Sequence, residues 1–114
     1  MNLFLQDKVV IVTGGGSGIG AAISRLLAEE GAIPAIVTNA QPDEMWLAAL
    51  RELQPQTEVV IADLCDEQHC QRAVERVQHQ FGRIDGLVNN AGVNDGVGLE
   101  AGRSAFVASL EKNL

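Results

Sequence analysis

The hydrophobic residues of this chain change their spacing repeatedly along its length, and this alternation constrains the fold more than any other feature. Short apolar runs, such as the Val-Val-Ile-Val of residues 9–12, have the pattern of strands that are buried on both faces. Between them, apolar residues recur every three or four positions, as on one face of a helix. The predicted strands span residues 9–12, 35–38, 58–62 and 84–90.

The predicted helices are bounded by residues that favour helix ends. Gly31 and Gly82 end the first and third helices, because glycine readily adopts the left-handed conformation found there. Asp43 begins the second helix, Asp66 caps the third, and a fourth begins near Gly102. The predicted apolar stripes of the four helices are Ile19, Ile23, Leu26 and Leu27; Trp46, Leu50 and Leu53; Cys70, Val74, Val77 and Phe81; and Phe106, Leu110 and Leu114.

Strands that alternate with helices of this length require parallel pairing and right-handed crossover connections. We therefore predict an α/β fold with a Rossmann-like, doubly wound parallel sheet that ends after about four strands. The 114 residues are enough for one domain and too few for two. Pro34 is expected at the first position of the second strand, where its missing N–H is tolerated. Such sheets bind ligands at the carboxyl ends of their strands, where the strand order reverses.

Residues 13–20, TGGGSGIG, leave the first predicted strand and enter the first predicted helix. The unpaired N–H groups and the dipole of a helix start favour an anion, and glycines let a pyrophosphate approach the backbone. Gly14, Gly18 and Gly20 have the spacing G-x-x-x-G-x-G, which does not match the G-x-G-x-x-G pattern. A plain tight turn is the alternative, but it does not require five glycines at this place.

Composition and charge exclude several function classes. The net charge of −7 argues against nucleic acid and against an anionic membrane surface as partners. No apolar window has the length of a membrane span, and we expect a cytoplasmic protein. Cys65 and Cys70 are expected as reduced thiols, and His69 beside them lacks the two further ligands that a metal site requires.

The glycine loop, together with NNAG at residues 89–92, resembles the short-chain dehydrogenase/reductase family. FGRIDGLVNNAG at residues 81–92 and Asp63 also stand where that family has them. The resemblance implies hydride transfer between a hydroxyl and a carbonyl, with NAD or NADP as cofactor and a homodimer or homotetramer as the complete protein. Residues 89–114 are most similar to L-fucose dehydrogenase-like members, which implies a small alcohol or sugar as substrate.

The resemblance also implies a role for each site residue. Asp63 would accept a hydrogen bond from the adenine amino group, with the backbone of Leu64 beside it, although an Asp after a strand also commonly forms a turn. Asn89 would tie the central strands together, and Asn113 would order a water for the catalytic proton relay. The diphosphate and the adjacent ribose would be held by Gly14, Ser17, Gly18, Ile19 and Gly20. The ribose and nicotinamide half would be lined by Asn90, Ala91 and Gly92.

Cofactor choice depends on the end of the second strand. Family members that use NAD have an acidic residue there, and those that use NADP have a nearby Arg. Thr38 and Asn39 occupy these places, so no carboxylate repels a 2′-phosphate and no guanidinium attracts it. The expectation is NADP or NAD, with a slight preference for NADP. A methyltransferase-type site would also need an acidic residue at this place, and Thr38 is not acidic.

The acid/base chemistry of the family uses a Tyr, a Lys four residues later and a Ser. This chain contains no tyrosine, and Lys112 therefore has none four residues before it. We expect the chain to be the N-terminal, cofactor-binding portion of a longer enzyme and to be inactive alone. A non-catalytic dinucleotide-binding module is the alternative. Asn94 and Asp95 could contact a sugar hydroxyl or could simply form a turn.

Overall fold

The computed structural model describes residues 4–14, 16 and 18–90, and the predicted helix from Gly102 lies outside them. Strands and helices alternate in the predicted order. They are β1 (Val9–Thr13), α1 (Gly18–Glu29), β2 (Ile33–Thr38), α2 (Glu44–Leu53), β3 (Glu58–Ile61), α3 (Glu67–Phe81) and β4 (Gly86–Asn89).

The four strands form one parallel sheet in the order β3-β2-β1-β4. This arrangement confirms the predicted α/β fold with a Rossmann-like, doubly wound parallel sheet. The chain adds β2 and β3 on one side of β1 and then crosses back to place β4 on the other side. The carboxyl ends of β1 and β4 therefore flank the point where the strand order reverses, which is where such sheets bind ligands.

Apolar residues cover both faces of the sheet. On one face, Val9 and Ile11 of β1 pack in one cluster with Ala73 and Val77 of α3. On the other face, Ile36 of β2 packs with Ala28 of α1 and Leu50 of α2 in a smaller cluster. Because helices pack on both of its faces, β1 is buried along almost its whole length, as predicted.

The helix ends confirm the predictions made from their capping residues. The carboxylate of Asp43 accepts a hydrogen bond of 3.0 Å from the N–H of Trp46, at the start of α2. Asp66 caps α3 in the same way. After α1 and α3 the chain passes through Gly31 and Gly82 with φ of 82° and 73°, a left-handed conformation that glycine adopts without strain.

The predicted apolar stripes are correct only in part. On α1 the buried residues are Gly20, Ser24 and Ala28, whereas Ile19 and Leu26 are exposed. On α2 the buried residues are Leu47 and Leu50, whereas Leu53 is 44% exposed. On α3 they are Ala73 and Val77, whereas Val74 is 48% exposed. The stripes differ because a pattern built on large side chains passes over Ala73, although a small side chain suits the line where a helix lies closest to the sheet.

The position of Pro34 also differs from the prediction. β2 begins one residue earlier, at Ile33, so that Pro34 is its second residue. The N–H of Ile33 donates to the carbonyl of Lys8 on the β1 side, and donors alternate between the two sides of a strand. The nitrogen of Pro34 therefore faces the β3 side, where pairing begins only at Ala35, and no hydrogen bond of the sheet is lost.

Candidate functional site

The loop between β1 and α1 lies at the carboxyl edge of the sheet and is attached there to the neighbouring strand. The N–H of Gly14 donates a hydrogen bond of 2.8 Å to the carbonyl of Val37, near the end of β2. Gly14 has a φ of 66°, which residues with side chains rarely adopt. The chain therefore turns sharply as it leaves β1, as a glycine-rich loop at this place predicts.

Gly18 and Gly20 have opposite surroundings. A Cβ atom at Gly18, whose φ is 56°, would meet none of the described residues within 4 Å, its chain neighbours excepted. A Cβ atom at Gly20 would collide with the carbonyl oxygen of Gly14 and would lie 2.6 Å from Nδ2 of Asn90. Gly20 thus permits α1 to pack closely against the end of β1, while Gly18 leaves the start of the helix open to a ligand.

The start of α1 has the properties of an anion site. First-turn N–H groups have no partners within the helix, and the helix dipole places partial positive charge beside them. The first turn of α1 contains no acidic residue that would repel an anion. Ile19, which lies in this turn, is 73% exposed and therefore does not serve the core.

The hydroxyl of Thr13 joins the ends of β1 and β4. Its Oγ1 accepts a hydrogen bond of 2.9 Å from the N–H of Asn90 and donates one of 3.2 Å to Oδ1 of Asn89. The side-chain amide of Asn90 reaches the carbonyl of Gly14 at 3.5 Å. Asn89 thus has the structural task expected of it. Thr13 was not among the predicted site residues, although a hydroxyl side chain between a buried strand and the first glycine is a signal for it.

The loops that follow β1 and β2 lie against each other. A Cβ atom at Gly16 would lie 2.9 Å from Cγ of Pro42, which is itself buried. Thr38 is partly buried at the end of β2, and its carbonyl accepts a hydrogen bond from the N–H of Ala62. Asn39, the next residue, is exposed. Residues 38–42 carry no charged side chain, so this edge of the site is electrically neutral.

Asp63 and Leu64 form the turn that follows β3. Oδ1 of Asp63 accepts a hydrogen bond of 2.9 Å from the N–H of Cys65. Asp63 therefore forms a turn, which was one of the two roles expected of it, the other being adenine recognition. The side chain of Leu64 packs against the core, and its carbonyl accepts the Cys70 thiol at 3.4 Å. Burial, followed by the nearby carboxylates of Asp66 and Asp63, raises the pKa of the Cys70 thiol, which therefore stays protonated.

The structure thus brings Gly14, Gly18, Gly20 and Asn90 together at one edge of the sheet, with Thr38 and Asp63 at the ends of the neighbouring strands. Four predicted site residues lie outside the described residues: Ser17, Ala91, Gly92 and Asn113. Within the described ranges, no cluster of three or more His, Cys, Asp and Glu side chains could hold a metal ion. In the same ranges no helix is both long enough and apolar enough to cross a bilayer.

Comparison with a family model for short chain dehydrogenase gives a match over residues 8–114. The chain belongs to the short-chain dehydrogenase family. Levodione reductase of Leifsonia aquatica, an oxidoreductase by name, is 43% identical over 90 residues, which are 76% of this chain and 34% of that protein. The chain therefore spans only about a third of the length of this family member.

Solved structures of dehydrogenases have the same fold as this chain. Cj0485 dehydrogenase superposes with a TM-score of 0.86 and 36% identity over all of this chain and 44% of its own. The NAD⁺-bound xylitol dehydrogenase superposes with a TM-score of 0.80 and 32% identity over 96% of this chain and 44% of its own. The Rossmann-like architecture predicted from the sequence is the architecture of these proteins.

Proposed function

We propose that this chain binds NAD or NADP at the carboxyl edge of its sheet, with the diphosphate at the start of α1. The observation that carries the proposal is the contrast between Gly18 and Gly20. Gly20 brings α1 against the end of β1, whereas Gly18 exposes backbone at the positive end of that helix. The adenosine half would extend toward Thr38 and Asp63, and the nicotinamide half toward Asn90 and the following Ala91 and Gly92.

The choice between the two cofactors is part of the proposal. Thr38 and Asn39 offer the ribose hydrogen-bonding groups without charge, so a 2′-phosphate meets neither repulsion nor a cation among residues 38–42. We therefore propose that both cofactors bind, with a slight preference for NADP. The similar xylitol dehydrogenase is a structure bound to NAD⁺, which supports a nicotinamide cofactor here without deciding between the two.

For the complete protein we propose a cytoplasmic homodimer or homotetramer that transfers hydride between a hydroxyl and nicotinamide. A sugar or polyol substrate, such as L-fucose, is supported by the resemblance of residues 89–114 and by the similarity to a xylitol dehydrogenase. This chain would supply the cofactor-binding portion, and Asn113 would contribute to the proton relay.

Substitution of Gly18 tests the proposed diphosphate site. Gly18→Ala places a methyl group where the pyrophosphate would contact the backbone, and we expect the affinity for NADPH to fall at least tenfold, or about 1.4 kcal/mol, in a fluorescence titration. Gly82→Ala is the matched control, because Gly82 also has a positive φ and open space around its Cβ position. It lies at the end of α3, away from the site.

Both substitutions introduce the same kind of backbone strain, about 1 kcal/mol, so their thermal stabilities should fall together. Only the Gly18 variant should lose affinity for the cofactor. Equal affinities in the two folded variants would show that the start of α1 is not the diphosphate site.

A further inference from the structure

The backbone N–H of Asp63 is the first amide beyond the sheet on β3. The last hydrogen bond between β3 and β2 runs from the N–H of Ala62 to the carbonyl of Thr38, at 2.9 Å. Donors alternate between the two sides of a strand, so the N–H of Asp63 faces away from β2, on the open side of β3. It donates to Nδ1 of His69, at 3.1 Å. A side chain of the following helix thus satisfies an amide at the edge of the candidate site.

His69 reaches Asp63 from the first turn of α3. Asp66 caps this helix, and His69 is the third residue after the cap. In a capping box the side chain at this position reaches back to the N–H of the capping residue. Here it reaches three residues further back, and its bond encloses the whole turn between β3 and α3.

Two more hydrogen bonds hold Asp63 within this turn. Its Oδ1 accepts the N–H of Cys65 at 2.9 Å, and its carbonyl accepts the N–H of Asp66 at 2.9 Å. His69 therefore completes a set in which the amide, the carbonyl and one carboxylate oxygen of Asp63, Oδ1, are all engaged. Among the three partners of Asp63, only His69 contributes a side chain; Cys65 and Asp66 contribute backbone N–H groups.

The bond requires an imidazole that is unprotonated at Nδ1. The other nitrogen, Nε2, lies 3.7 Å from Oδ2 of Asp66, so a proton on Nε2 faces a carboxylate. This arrangement favours the tautomer that leaves a lone pair on Nδ1. Arg72 and Arg76 line the same side of α3 as His69, along β3, and Arg76 is paired with Glu58 at the start of that strand, at 3.6 Å.

We propose that His69 is a positioning residue for the adenine end of the cofactor. By accepting the amide of Asp63, it holds the Asp63–Leu64 turn in the orientation that lets the Asp63 carboxylate meet the adenine amino group. This inference rests on the proposed function of the site. It assigns to His69 a task other than metal binding, for which the described residues offer no cluster.

The test compares NAD with its hypoxanthine analogue, which carries an acceptor oxygen in place of the adenine amino group and so offers Asp63 no donor at that position. His69→Ala should weaken NAD binding roughly two- to tenfold, the range expected for one lost hydrogen bond. The affinity for the analogue should stay at its value in the unaltered protein. A general loss of structure would instead weaken both ligands alike.

Two further variants make the test specific to Nδ1. Asparagine carries its amide oxygen close to the place of Nδ1, so His69→Asn should restore most of the NAD affinity. His79→Ala removes the other imidazole of α3, on an exposed position of the last turn, and should change neither affinity. Calorimetric titration and a thermal unfolding curve for each variant provide the measurements.

The outcomes separate this inference from the proposed function. If the unaltered protein binds NAD but His69→Ala changes both affinities equally, or neither, His69 does not act through Asp63 and the inference is wrong. The same conclusion follows if His69→Asn behaves like His69→Ala. If the unaltered protein binds neither dinucleotide, the proposed function fails, and the role of His69 fails with it.

Discussion

Gly20→Ala is the substitution whose effect follows most directly from the geometry of the fold. The added Cβ atom would collide with the carbonyl oxygen of Gly14 and lie 2.8 Å from its carbonyl carbon. Nδ2 of Asn90 would be 2.6 Å away. Backbone cannot rotate away as the end of a long side chain can, so α1 must move away from the end of β1.

The cost of this movement can be placed within a range. Forcing one extra methyl group into a well-packed interior destabilises a protein by about 1–3 kcal/mol. For a domain near 100 residues, each kcal/mol lowers Tm by about 4–8 °C, so we expect a decrease of roughly 4–24 °C. Cofactor affinity should also fall, because the same movement displaces the start of α1 and the amide of Asn90.

Gly86→Ala provides the comparison within the same sheet. A Cβ atom at Gly86 would lie 3.7 Å from Cγ1 of Val10, an ordinary van der Waals contact. We expect Tm to stay the same or to rise slightly, because alanine restricts the unfolded chain more than glycine does. Circular dichroism melting curves measure both variants, and an equal Tm for Gly20→Ala and Gly86→Ala would refute the close approach of α1 to β1.

Two further predictions concern cofactor choice and acid stability. Thr38→Asp should lower the NADP-to-NAD ratio of kcat/KM in the complete protein by roughly tenfold or more, because the new carboxylate would repel the 2′-phosphate. A strong NAD preference before mutation would contradict our interpretation of this position. Hydrogen bonds from Arg83 and from the N–H of Val9 hold the pKa of Asp85 below its ordinary value. Asp85 therefore stabilises the fold above its unfolded-state pKa, and this contribution is lost as pH falls through its folded-state pKa. In urea unfolding, Asp85→Asn should be less stable than the unaltered protein at pH 7 but equally stable at strongly acidic pH.

The order of elements and the ends of the helices could be predicted because they depend on residues that are close in sequence. Gly31 and Gly82 have the left-handed backbone expected of glycine after a helix, and Asp43 and Asp66 cap the helices that follow them. The apolar stripes were harder to predict. Whether Leu47 or Leu53 is buried depends on where the helix lies on the sheet, and helical periodicity alone does not contain that information.

The sequence by itself determined that this chain alternates strands with helices and places a glycine loop after the first strand, because propensity, capping and periodicity act over a few residues. Only the tertiary structure decided what meets that loop. Thr13 and Asn90 are 77 positions apart, yet a parallel sheet with β4 beside β1 joins them by a hydrogen bond. The need for Gly20 has the same origin, since the atoms that exclude a Cβ there include Asn90, which the crossover from β3 to β4 brings back to the first strand.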